Sequence, residues 1–155
     1  MPEDSHRNLI VREANLSDSE ALYELASHPD IRKTTFNPAP FSFESHQDWY
    51  RKKLADPNYK IFLVCDGALV QGYVRYEKTK DECLVHIAVH PRVWGKGIGT
   101  FALQESLKFV PHEWNCRKIK AQVLKTNAGS LRIFEKAGYQ IEGGDSVLDL
   151  YRKVD

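Results

Sequence analysis

Three glycines alternate in the segment Val89-His90-Pro91-Arg92-Val93-Trp94-Gly95-Lys96-Gly97-Ile98-Gly99-Thr100. A β-branched, apolar run ends at Val89. An amphipathic helical pattern starts at Gly97, with Phe101, Leu103, Leu107 and Val110 as its apolar members. A strand is thus expected to feed straight into glycine-punctuated backbone and then a helix. Gly95, Gly97 and Gly99 remove Cβ atoms where another group comes close. The first helical turn offers N–H groups without intrahelical acceptors, and its dipole favours an anion there. Arg92 and Lys96 add positive charge. The types and spacing predict a phosphate or pyrophosphate cradle between strand and helix. The alternative is a tight junction whose glycines serve packing alone.

Two familiar cradles are excluded. No Gly-x-x-x-x-Gly-Lys-[Ser/Thr] follows, so this is not a Walker loop. A dinucleotide fingerprint starting at Gly95 and Gly97 needs glycine at position 100, where Thr100 stands. No metal is expected either. His86 and His90 lie on a strand, about 13 Å apart along it, and do not form a helical i,i+4 pair. Cys65, Cys83 and Cys116 are widely spaced and form no Cys-x-x-Cys. Each is expected to act as a small buried apolar residue, which suits a reducing cytoplasm.

The elements that position this segment follow from periodicity and turn chemistry. Leu9 to Arg12 reads as a strand. Asp18 is placed to cap a helix from Ser19 to Ser27, and the chain from Ile31 to Phe41 reads as a loop. Ser42 is placed to cap a helix to Leu54, with Phe43, His46, Trp49, Tyr50 and Lys53 near one stripe. Tyr59 to Cys65, Ala68 to Glu77 and Cys83 to Val89 read as an antiparallel meander, with a hairpin at Asp66-Gly67. After the helix from Gly97 to Val110 come a strand from Lys118 to Leu124 and a helix from Ala128 to Ala137, stopped by Gly138. Tyr139 to Glu142 and Val147 to Arg152 close the chain as strands. The order is that of a mixed α/β sheet with helices on its faces.

Composition bounds the function. The chain has 155 residues, 42% of them hydrophobic, which is one domain's worth, 1–155. Lys+Arg number 22 against 21 Asp+Glu, which argues against a protein that lives on nucleic acid and leaves room for a local basic pocket. The longest apolar run, Ile61 to Cys65, is strand-sized and far short of the ~20 residues of a membrane span. Met1 to Asn8 is polar and has no apolar core of a secretory signal.

At this point the chain resembles a known family, the GNAT N-acetyltransferases. Their coenzyme motif, [Arg/Gln]-x-x-Gly-x-[Gly/Ala], is matched by Arg92, Gly95 and Gly97. A second feature, an Asn opening a helix that ends in Gly-[Phe/Tyr], is matched from Asn127 to Gly138-Tyr139. The resemblance implies the GNAT fold. Its mixed, mostly antiparallel central sheet splays in a V between the fourth and fifth strands, with helices on both faces. It also implies acetyl-CoA as cosubstrate. The backbone of Arg92, Val93, Trp94, Gly95, Lys96, Gly97, Ile98, Gly99 and Thr100 would hold the pyrophosphate. The N–H near Val89 would polarise the thioester carbonyl, as a fixed donor in a dry slot should. Asn127 would reach the pantetheine arm or cap its own helix. Phe134 would stand beside the coenzyme.

The family's usual proton carriers are absent. Many members protonate the leaving thiolate with a Tyr, where this chain has Phe134. Releasing a thiol of pKa about 8.5 as thiolate at pH 7 costs about 2 kcal/mol, a loss of tens-fold in rate. Water or another hydroxyl, such as Tyr139, could do that work, but the role expected first for Tyr139 is packing under the helix end. Some members place a Glu base before the Asn, but Gln122 and Lys125 stand there. His86 is the expected base because imidazole titrates near neutrality, and Glu82 is the second choice. The acceptor region would be the aromatic, cationic stretch with Arg32, Phe36 and Trp49. Its wording is similar to GNAT domains of nucleotide-linked amino-sugar biosynthesis, including pseudaminic and related acids, and more distantly to ribosomal-protein N-terminal acetyltransferases. Three readings stand: an acetyltransferase for a small-molecule amine, one for a protein or peptide N-terminus, or an acetyl-CoA-binding module without turnover. A homodimer is allowed.

Overall fold

The computed structural model describes residues 8–35 and 39–154. Its strands are β1 (Leu9–Glu13), β2 (Tyr59–Asp66), β3 (Leu69–Lys78), β4 (Cys83–Val89), β5 (Lys118–Leu124), β6 (Gln140–Gly144) and β7 (Val147–Lys153). Its helices are α1 (Ser19–Ser27), α2 (Pro29–Arg32), α3 (Phe43–Ala55), α4 (Ile98–Ser106) and α5 (Ala128–Lys136). The strands form one sheet, ordered β1-β2-β3-β4-β5-β7-β6. Only the β4–β5 pairing is parallel.

Most of the expected elements are present, and the departures have local causes. Asp66 pairs with Leu69 across Gly67, whose φ of +59° suits the tight turn. Ser42 Oγ accepts from Ser45 N and starts α3. Asp18 does not cap α1 with its side chain. It instead accepts two 2.8 Å bonds from Arg12, and Asn15 N donates to it. α4 stops at Ser106 instead of reaching Val110, and a 3-10 turn, Leu107–Phe109, follows. Val110 precedes Pro111, which disfavours helical backbone there. The stretch read as a loop contains one helical turn, α2.

The sheet opens between β4 and β5. They pair only at Cys83–Ile119 and Leu84–Lys120, so Val85 to Val89 run on with no paired residue on β5. A bulge contributes to this shape. Between the pairs Val64–Gly72 and Cys65–Val70, β3 carries one extra residue, Gln71. Such a bulge bends its strand, and β4 follows β3 along Gly72 to Lys78. Gly72 permits the close approach, because a Cβ there would lie 2.6 Å from Ala88 O.

Each sheet face has its own core. Ile98, Ala102 and Leu103 of α4 and Phe134 of α5 pack with Val74, Tyr76, Val85 and Ile119. Leu22, Leu25, Ile31 and Tyr50 of α1 to α3 pack with Ile61, Leu63 and Tyr73 on the other face. Helices thus cover both faces, as expected.

The cysteine expectation needs correction. Cys83 and Cys116 form a disulfide across 33 residues, and only Cys65 is free and buried. Cys83 begins β4 and Cys116 lies just before β5. The parallel pairing that brings the strands together also brings the thiols together, and sequence spacing carries no trace of it. Among the described residues, no helix is long and apolar enough to cross a membrane.

Candidate active site

The glycine segment forms the junction predicted for it. Pro91–Val93 makes one 3-10 turn, and α4 begins at Ile98. Gly95 and Gly97 both adopt φ +78°, a region where a side chain is strained. A Cβ on Gly95 would meet nothing within 4 Å, so protein packing does not explain that glycine. Gly97 is the residue before α4 and supplies no side-chain cap. The first-turn amides therefore present to the outside at a positive helix end. Val93 and Ile98 are buried and pin the loop from beneath. Arg92, Trp94, Gly95, Lys96 and Gly97 are exposed around it. This arrangement fits a diphosphate: open amides, no Cβ in the way, and cations at the rim. Gly99 has a different reason. Its missing Cβ would stand 2.9 Å from Ile133 Cδ1, so it permits α4 to pack on α5.

The ladder sets where the β4 amides point. His90 N donates to Gln71 O at 2.7 Å. That bond brackets the Gly72–Val89 pair, which is a non-hydrogen-bonded pair of the antiparallel ladder. The Val89 amide and carbonyl therefore point away from β3, and by the period of two those of Ile87 do as well. Both face the opening left by β5, whereas the Val85 amide is the last to meet β5, at the Leu84–Lys120 bridge. The Val89 carbonyl accepts from Trp94 Nε1–H at 2.7 Å.

A cavity of about 750 Å³ runs through this opening. On one side it meets Asn127, Ser130 and Phe134 of α5. On the other it meets His46, Trp49, Tyr50 and Lys53 of α3, a stripe at helical spacing, and Arg32 of α2. Its floor carries Tyr73 and Arg75 of β3 and His86 of β4. His86 sits opposite Arg75 in the ladder, with its ring 6.0 Å from that of Tyr73. Burial, and secondarily the Arg75 charge, holds its pKa well below the usual imidazole value, so it is neutral at pH 7. His46 is pushed down for the same two reasons, and its buried Nδ1 has no hydrogen-bond partner.

The other expected residues are placed as follows. Asn127 caps α5, its Oδ1 accepting from Ser130 N at 3.1 Å, and it also lines the cavity. Phe134 lines the cavity and meets the Tyr139 ring edge-on at 5.0 Å. Tyr139 itself does not reach the cavity. It is 4% exposed, and burial drives its pKa well above the phenol value, which fits packing and not proton transfer. Glu82 does not line the cavity either and pairs with Lys120 at 3.4 Å. Phe36 lies outside the described residues. Tyr59, Tyr73, Arg75 and Glu77 line the cavity without having been singled out. For the three on β3 the one signal was the alternation Tyr73, Arg75, Glu77, which puts polar atoms on one face of a strand otherwise read as core; Tyr59, on β2, carried no such signal.

Comparison with known proteins agrees with this geometry. Residues 8–140 match the model of the acetyltransferase (GNAT) domain. Acetyltransferase PseH of Campylobacter jejuni is 26% identical over 137 residues, covering 86% of this chain and 83% of that protein. L-amino acid N-acetyltransferase AaaT of Escherichia coli is 24% identical, covering 87% of this chain and 85% of that one. The fold is shared with spermidine N-acetyltransferase from Vibrio cholerae, solved with CoA and spermine, at a TM-score of 0.82 and 22% identity. That match covers 95% of this chain and 96% of the other.

Proposed function

The chain belongs to the GNAT family of acetyl-CoA-dependent acyltransferases, and we propose that its acceptor is a primary amine of a small molecule, such as a nucleotide-linked amino sugar. One observation carries the reading. The glycine junction with open amides lies at the end of β4, and β4 also forms the wall of a cavity that crosses the sheet. A long, thin, diphosphate-bearing cosubstrate can be held at the junction while its far end enters the opening.

Acetyl-CoA supplies the activated acetyl group. We assign the diphosphate to the amides from Arg92 to Thr100 and the thioester carbonyl to the Val89 N–H, which faces the opening. His86, neutral on the cavity floor, accepts the proton that the amine loses as its bond to the acetyl carbon forms and the carbon–sulfur bond breaks. No tyrosine stands at Phe134, so the departing sulfur is protonated by solvent. Trp49 and Tyr73 offer ring surface to a sugar or base, and Arg32, stacked on Phe41, places a cation at the same wall. AaaT supports a small amine acceptor by its name alone. We place the reaction in the cytoplasm, where the cosubstrate is made. The Cys83–Cys116 bond would be exposed to reduction there.

The test is calorimetry with acetyl-CoA, followed by thiol release across a panel of nucleotide amino sugars, free amino sugars, amino acids, polyamines and peptides. Uptake of acetyl-CoA with turnover of a small amine is expected. No uptake by folded protein overturns the whole reading. Turnover of peptides alone overturns the acceptor.

A further inference from the structure

We propose that the acceptor carries an oxyanion, a carboxylate or a phosphate, beside its amine, and that Arg75 is the specificity residue that binds it. This rests on the acetyl-transfer reading of the cavity.

Arg75 lies half-buried on the cavity floor, in the middle of β3. Its guanidinium is 5.3 Å from the centre of the Trp49 ring and 5.9 Å from that of Tyr73. The rings hold it in place but do not neutralise it. The other wall cations have partners. Lys53 pairs with Glu77 at 3.8 Å, and Lys120 with Glu82 at 3.4 Å. Arg32 stacks on Phe41 at 4.8 Å and donates to Ala39 O at 2.8 Å. Among the described residues, no carboxylate lies within ion-pair distance of Arg75. Its charge is instead felt by His46, Tyr59 and His86 around it.

A half-buried charge without a counter-charge is costly. A planar guanidinium fork matches the two oxygens of a carboxylate or phosphate. Among the described residues that line it, the wall carries Arg32, Lys53, Arg75 and Lys120; Lys53 is balanced by Glu77 and Lys120 by Glu82, which leaves Arg32 and Arg75 as its net positive charge. Such a wall repels a polyamine and attracts an amine that bears an anion. It has a second effect on the reaction. Nearby cations disfavour the ammonium form, so the acceptor amine loses its proton more easily and becomes nucleophilic. Arg75 faces His86 across the ladder, so a bound oxyanion would set the amine close to the group assigned to take its proton.

The experiment uses matched pairs of amines that differ only in the anion: amino acid against amino-acid amide, and amino-sugar phosphate against free amino sugar. kcat/KM is measured for each with wild type, Arg75→Gln and Arg75→Lys. Binding of each to CoA-saturated protein is measured by calorimetry, so the result does not depend on turnover. In wild type, the anionic member of at least one pair is expected to be preferred by about tenfold or more, the scale of one charged hydrogen-bonded contact. Arg75→Gln should collapse that ratio towards one through KM, and Arg75→Lys should restore part of it. CoA affinity should stay constant in both. The pair that shows the ratio separates carboxylate from phosphate. Equal use or equal binding of both members in every pair overturns the proposal, as does a preference that survives Arg75→Gln in folded protein. So does the absence of any binding from the panel. Failure of the acetyl-transfer reading looks different, since CoA itself then does not bind.

Discussion

Gly72→Ala probes the role assigned to the Val89 amide from outside the Gly95–Thr100 part of the coenzyme cradle. A Cβ on Gly72 would stand 2.6 Å from Ala88 O and 3.2 Å from Val89 Cα. Both are backbone atoms of β4, so no side chain can swing aside. Reaching the 3.4 Å of ordinary contact asks the end of β4 to move by about 0.8 Å. That shift falls on Val89 itself. A misplacement near 1 Å costs on the order of 10²-fold in rate, and overpacking of this kind costs about 1–3 kcal/mol of stability. The amides from Gly95 to Thr100 are held by α4 and its packing on α5. The variant should therefore lose about 10- to 100-fold in kcat and keep its CoA affinity. Thiol release at saturating acceptor, with calorimetry for CoA, reads both quantities. Gly143→Ala serves as the control, because its Cβ would meet nothing within 4 Å. A folded Gly72→Ala enzyme with kcat within about twofold of wild type would refute Val89 as the polarising donor.

Three further outcomes are expected. The folded-state pKa of His86 lies well below 6.5, so the unfolded chain binds the proton more readily and stability falls as pH drops below about 6.5. His86→Gln should flatten that fall in urea midpoints between roughly pH 7 and 5, lower kcat by about 10²-fold or more and remove the acid limb of the pH–rate profile; an unchanged profile removes His86 from the mechanism. Arg12 holds the Asp18 carboxyl below its ordinary pKa, so this pair stabilises the fold above about 3.8 and the contribution is lost as pH falls below that value. Arg12→Met should cost about 1–3 kcal/mol at pH 7 and progressively less as pH falls below about 3.8, read by urea unfolding. Cys116→Ser opens a 33-residue closure and should cost roughly 3–4 kcal/mol, while alkylation of unfolded, unreduced wild type should label Cys65 alone; labelling of all three thiols contradicts the bond.

The coenzyme end of the site was legible because its signals are local. A glycine that needs positive φ, an apolar run of period two and a helix start all act within a few residues of chain. Gly95, Gly97 and the bounds of β4 and β5 follow from such patterns. His46, Trp49, Tyr50 and Lys53 of the expected stripe were visible for the same reason, since helical spacing alone puts them on one side, while Phe43, expected with them, is exposed and stays off the cavity wall. Boundaries slipped where a neighbouring feature intervened, as with Pro111 after α4 and the Arg12 pair that draws Asp18 away from capping.

The acceptor end was not legible in this way. Whether Arg75 faces the cavity or the opposite core depends on the register of β3 between β2 and β4, and on the one-residue bulge at Gln71. Phe134 reaches the cavity while Tyr139 packs into the core, as its place just after the helix end suggested. Cys83 and Cys116 meet through a parallel pairing that neither sequence neighbourhood announces. Local backbone chemistry, written in the chain itself, determined a diphosphate cradle at the end of a strand. The order and splay of the sheet, which arise only when distant segments pack, decided which charges share the acceptor cavity.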